Sequence, residues 1–186
     1  MFNIAANKTH VRRRPNERLL PSCIAPTVKH PESVMIWGCF SFFGPGRLYV
    51  VPKGTTVNSA RYLEILETRM LPSASNLHPA GDYIFQDDGA PCHRSKVVKA
   101  WFQGHGVTPM HDWPGQSPDI NPIENLWCIM KRMVNQSHPT GRISLIEAII
   151  HAWHRTVTVQ TLQTLVESMP RRIRDVIAAK GYATKY

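Results

Sequence analysis

The stretch FQDDGAPCH, Phe85 to His93, constrains this chain most. It closes the apolar run DYIFQDD (82–88) on two adjacent carboxylates and a glycine, and the amphipathic pattern RSKVVKAWFQGHG (94–106) follows directly. A strand that stops on charge and turns at once into a helix is half of a β–α unit. Two like charges at the mouth of a buried strand repel each other, so Asp87 and Asp88 require a counter-charge.

The remaining elements extend the same pattern. SVMIWGCFSF (33–42) reads as a buried strand, GPG (44–46) as a turn and RLYVV (47–51) as the returning strand of a hairpin. NSARYLEILETRMLPSA is helical, capped by Asn58 or Ser59, with Tyr62, Leu63, Leu66 and Met70 on its apolar stripe. VTPMHDW (107–113) is a short strand, and a helix from about Pro122 to Asn135 follows the loop PGQSPDINP. Ser144 opens a further helix with Leu145, Ile149 and Trp153 on one face, and two more are expected near 159–168 and from Pro170 to Gly181. Helices alternating with strands after an antiparallel hairpin give an α/β fold with a mixed sheet. Trp101, Trp127 and Trp153 fall on helical stripes and are expected in the core.

Charge sets the class of partner. The net charge is +9. Residues 1–30 carry six Lys or Arg against one Glu, residues 31–124 seven against nine acidic groups, and residues 125–186 nine against three. A polyanion held by basic ends would meet an acidic centre. Taken singly, VRRRPNER and PRRIRD also read as solvated faces. No apolar run is long enough to span a bilayer, the longest being residues 34–44, and the first residues lack the apolar core of a secretory signal. Four cysteines, at 23, 39, 92 and 128, form no Cys-x-x-Cys pair, which argues against a zinc site or a disulfide framework and fits a reducing compartment.

WPGQSPDINPIENLW (113–127) is the second informative stretch. Asn121 suits an N-cap, Pro122 the first helical position and Glu124 the third, so Glu124 can complete a capping box. Ile123, Leu126, Trp127, Met130 and Val134 make the buried stripe and leave Glu124 at its edge, where it can look over the end of a sheet. Ligands of α/β folds bind at the carboxyl ends of strands. Residue types and placement leave two readings open: Asp88 and Glu124 as a metal-binding pair, or as two structural carboxylates.

FQDDGAPCH and DWPGQSPDINPIENLW together resemble the catalytic core of mariner-type transposases of the Tc/mariner superfamily, and SVMIWGCFS and LVESMPRRIRDVIAAKGYATKY resemble the same family at matching positions. The resemblance implies a ribonuclease-H-like fold, a mixed sheet flanked by helices, with residues 1–186 as one catalytic domain. It implies a triad of two Asp and one Glu binding two divalent ions, Mg²⁺ or Mn²⁺, with Asp88 second and Glu124 third. Such ions, roughly 4 Å apart, activate the attacking oxygen and stabilise the leaving one. Asp87 matches a position that is usually neutral. Thirty-five residues lie between Asp88 and Glu124, one more than in the most familiar members. The family's first Asp falls just before the position of Phe2, and the first Asp of this chain is Asp82. The first strand and the helix-turn-helix DNA-binding region are therefore expected to be missing, and the chain alone to be inactive.

The implied partners are transposon-end and target DNA and a transposase homodimer, with no membrane, in the nucleus. Arg12, Arg13, Arg14, His93, Arg171 and Arg172 are the candidate DNA contacts. The alternative is a non-catalytic remnant that binds DNA or a transposase subunit; an unrelated metal-dependent nuclease is a third reading. Cys92 is expected to be packing, and His93 to support Asp88 from behind or to face DNA beside it. His151 and His154 share a helix face without a carboxylate partner and are expected at the surface.

Overall fold

In a computed structural model of the chain, residues 2–5, 32–110, 113–114, 117–182 and 184–186 are described. Strand β2 (Ser33–Trp37) organises them. Its Val34 and Ile36 are fully buried while Ser33 and Met35 are exposed, as the two-residue period of a strand requires. β1 (Phe2–Ala5) lies antiparallel along one edge, with Phe2 opposite Ile36 and Ala5 opposite Ser33. β5 (Tyr49–Val50) lies antiparallel along the other, with Ile36 opposite Val50. The expectation of a missing first strand is corrected here: Phe2–Ala5 covers the edge of β2, because Ile4 seals into the same core as Val34 and Ile36.

The hairpin forms with a different tip. β3 (Phe40–Ser41) and β4 (Gly44–Pro45) make a small extra ladder, and the chain reverses at Phe42–Phe43 rather than at 44–46. Gly46 is needed for close approach instead, since a Cβ there would meet the Cys39 sulfur and carbonyl. β6 (Ile84–Phe85) and β7 (Thr108–Pro109) pair in parallel through α3 (Lys96–Gly104), completing the β–α–β unit. The run 82–88 pairs over only two residues. Asp87 Oδ1 accepts from the Gly89 amide at 2.8 Å and Asp88 Oδ1 from the Ala90 amide at 3.1 Å, and these side-chain turns bend the backbone out of the ladder.

The helices flank the strands on two sides. α1 (Ser59–Ile65) is capped by Asn58, whose Oδ1 accepts from the Arg61 amide at 2.9 Å. It continues through a π-helical turn, Leu66–Met70, into α2 (Leu71–Leu77). Pro72 explains the widened turn: it lacks an N–H and crowds the carbonyl four residues back. These helices, α3 and Trp37 enclose one core, centred on fully buried Tyr62 and Leu66. α4 (Pro122–Gln136), α5 (Arg142–Thr156) and α6 (Val159–Glu167) enclose the other against β1 and β2. The expected stripes hold: Leu126, Trp127, Met130, Val134, Leu145, Ile149 and Trp153 are all buried. α7 (Met169–Ala178) follows, and Gly181 takes a left-handed φ of 82° just beyond it.

Gly38 marks the tightest point between strand and helices. A Cβ there would stand 2.9 Å from one Trp153 ring carbon and 3.0 Å from one of Trp127. Gly38→Ala is therefore expected to destabilise the fold by about 1–3 kcal/mol through overpacking, read as a lower urea midpoint with an unchanged slope.

Candidate metal centre

β6 delivers Asp87 and Asp88 to the end of the parallel ladder, and the first turn of α4 delivers Glu124. All three line one cavity of about 420 Å³, together with His93 and Asn121. Gly89, at φ 65°, makes the turn that brings His93 back over the strand end. The His93 ring is 4 % exposed and stacks on Tyr62 with centroids 3.9 Å apart. Its Nδ1 stands 2.8 Å from Asp88 Oδ1 and 4.0 Å from Asp87 Oδ1. The N–H axis is not aligned on either oxygen, so the contact is electrostatic more than a well-directed hydrogen bond. Asp87, Asp88 and His93 present ligand atoms within 4.8 Å of one another.

The electrostatics separate Asp88 from Glu124. Burial pushes the Asp88 carboxyl up, but the His93 contact, the amino-terminal charge and the Ala90 amide together more than offset this and hold it well below the usual carboxylate range. Asp88 is therefore ionised under all ordinary conditions. Glu124 is raised, by burial and by the charge of Asp88. Burial, then Asp87 and Asp88, also raise the Tyr62 phenol. Within the cavity wall, Tyr62 Oη and His93 Nε2 are buried without a hydrogen-bond partner among the described residues. The donor set is thus rich in carboxylate oxygen, which is what a hard divalent cation binds.

Several expectations change against this geometry. Of the two roles open to His93, supporting Asp88 or facing DNA, the structure shows the first: its ring is spent on Tyr62 and Asp88 inside the protein. Arg172 is buried, and its guanidinium is bonded to Asp119, Asn125 and Ser168 rather than displayed to phosphate. Arg171 is exposed, with its guanidinium 5.7 Å from the Tyr186 ring centre. Arg12, Arg13 and Arg14 lie outside the described residues. Asn121 does not cap α4 with its side chain; its Oδ1 accepts instead from Gln86 Nε2 at 3.4 Å, tying the Glu124 turn to the Asp87 strand. Asp87, set aside on sequence grounds, sits in the ligand cluster. Cys92 is no activated nucleophile, since burial and the charge of Asp88 raise its thiol. His151 and His154 are exposed on α5, as expected.

Residues 25–146 match the DDE superfamily endonuclease family, and the chain belongs to that family in its Tc/mariner transposase branch. It is 39% identical over 177 residues to the Tc1 transposase of Caenorhabditis elegans and 41% identical over 181 residues to the Tcb1 transposase of Caenorhabditis briggsae. Each match takes in 95% of this chain and 63% of the relative, so the chain spans a little under two thirds of those proteins. The Mos1 transposase catalytic domain, solved with raltegravir and Mn, aligns over 83% of this chain and 78% of its own at a TM-score of 0.73 and 18% identity. The Mos1 paired-end complex with Mn aligns over 99% of this chain and 55% of its own at 0.82. At that identity the likeness carries the fold, and it bears out the ribonuclease-H-like architecture. Among the described residues, no helix is long and apolar enough to cross a membrane.

The two carboxylates predict opposite stability effects. A lowered Asp88 contributes stability that is present above its ordinary value of 3.8 and lost as pH falls through its folded value. A raised Glu124 contributes stability that is present below its ordinary 4.5 and lost as pH rises through its folded value. In metal-free buffer, Glu124→Gln should therefore raise the melting temperature at pH 7, and the gain should vanish below about pH 4.5. Asp88→Asn should lower it at pH 7 and flatten its acid dependence. Thermal scans from pH 3 to pH 8 check both.

Proposed function

We propose that this chain is the catalytic region of a Tc/mariner-type DNA transposase, which cuts and joins transposon-end DNA in the nucleus as part of a transposase homodimer. Asp88 and Glu124 are the proposed ligands for Mg²⁺ or Mn²⁺, in a site that takes two ions when the family triad is complete. The observation that carries the reading is that an ionised Asp88 and a Glu124 raised chiefly by burial line the same cavity. A cation there would relieve their repulsion while activating the attacking oxygen and stabilising the leaving one. The chain's own residues prepare the site. His93 orients Asp88, Tyr62 backs the His93 ring and keeps water from it, and the Gln86–Asn121 contact holds strand end and helix start together.

One observation favours a narrower role for the 186 residues by themselves. No Asp precedes Asp82, so the chain offers two residues at triad positions. A two-ion site that lacks the shared Asp loses the alignment of attacking and leaving oxygens. DNA binding rests on distributed Lys and Arg contacts and is less affected. The expected outcome is salt-sensitive, sequence-indifferent DNA binding, with neither nicking nor strand transfer in Mg²⁺ or Mn²⁺. Arg171→Ala should weaken binding and lower its salt slope by about one. Metal-dependent cleavage by the unmodified chain, lost in both Asp88→Ala and Glu124→Ala, would establish the metal reading and show that another group completes the triad. Cleavage that survives both substitutions would overturn the metal reading.

A further inference from the structure

Arg172 is a buried cation in the wrong place for helix stability. It is 3 % exposed and lies against the N-terminal turn of α4, where the helix dipole disfavours positive charge. Burying a guanidinium is costly unless its donors are satisfied. Here they are. Nε donates to Ser168 Oγ at 2.7 Å, and Nη1 donates to the Asp119 carbonyl at 2.9 Å and to Asn125 Oδ1. The Tyr186 ring lies over the guanidinium, 4.6 Å from centroid to carbon. Two further contacts pin the end of the chain in place. Thr184 Oγ1 donates to Asp119 Oδ2 at 3.2 Å, and Lys185 Nζ pairs with Asp175 at 3.1 Å.

Two of the three receiving groups, Asp119 and Asn125, flank Glu124. Asp119 belongs to the turn that leads into α4, Asn125 is the residue after Glu124, and Ser168 anchors the assembly to α7. α4 has no side-chain cap of its own, because Asn121 is turned toward Gln86. The core contacts of Leu126 and Trp127 begin only after Glu124, so the Arg172 contacts at Asp119 and Asn125 hold the first turn of α4 from outside. We propose that Arg172, closed over by Thr184–Tyr186, is a latch that sets the position of the Glu124 carboxylate, making it a positioning residue for the cation site. This rests on the reading of Asp88 and Glu124 as cation ligands.

Two readouts on the full 186-residue chain test it separately. Hydrogen exchange by mass spectrometry, without metal, tests the latch alone. Arg172→Gln and Asn125→Ala, which break the same bond from opposite ends, should raise exchange at residues 124–127 and leave 145–153 unchanged. Exposed Arg174→Ala should change neither. Mn²⁺ titration by calorimetry then tests the coupling. Both latch variants should lose about tenfold or more in Mn²⁺ affinity, the loss typical when a group orienting a ligand is removed. Added to Glu124→Gln, they should cost nothing further, since both act through that carboxylate. Arg172→Lys should recover little, because one ammonium does not reproduce the forked contact. Unchanged exchange at 124–127 in Asn125→Ala, which keeps the guanidinium and its other bonds, would overturn the latch whatever the metal does. Faster exchange with full Mn²⁺ affinity would reduce Arg172 to a brace and overturn the positioning role. Failure of the unmodified chain to bind Mn²⁺, or binding indifferent to Asp88→Asn and Glu124→Gln, would overturn the cation site while exchange still decides the latch.

Discussion

The burial of two carboxylates, Asp88 and Glu124, along one cavity is the constraint around which the rest of the site is arranged. Two carboxylates face one partly buried cavity, and the fold does not neutralise both of them. It stabilises one, through His93, the amino-terminal charge and the Ala90 amide, and leaves the other raised by burial and by its neighbour's charge. A protein selected only for stability would replace Glu124 with a neutral residue. The proposed cation would offset that cost.

The scaffold brings the two carboxylates from different parts of the fold. Asp88 stands at the end of a short parallel ladder, bent out by its own side-chain turn. Glu124 stands on the first turn of a helix buried along Leu126, Trp127, Met130 and Val134. One apolar core fixes α4 and the other fixes Tyr62 and α3. Among the described residues, Gln86 with Asn121 is a polar contact between these parts, and Arg172 with Asn125 and Asp119 ties the start of α4 to α7.

What the sequence made legible follows from how far apart the interacting residues lie. The apolar stripes of α4 and α5 and the three core tryptophans are patterns within single helices, and they stand as read. Asp88 and Glu124 were legible because a strand end and a helix start are local features. Asn121 misled because a good capping residue is defined by its neighbours, while its actual partner, Gln86, is 35 positions away. PRRIRD reads as a solvated run, yet Arg172 is buried by a loop 53 positions earlier and by the ring of Tyr186. His93 looked available for the same reason: nothing nearby in sequence announces that Tyr62 will cover it. The first strand was missed because four residues carry too little pattern, and only their pairing with β2 reveals them.

The central claim is that Asp88 and Glu124 share one cation. The most direct measurement is anomalous scattering from crystals of the chain soaked in Mn²⁺. The account requires a peak within bonding distance, about 2.2 Å, of a carboxylate oxygen from each residue, and loss of that peak in Glu124→Gln. A peak held by Asp87, Asp88 and His93 with Glu124 turned away, or no peak in the cavity at all, would contradict it.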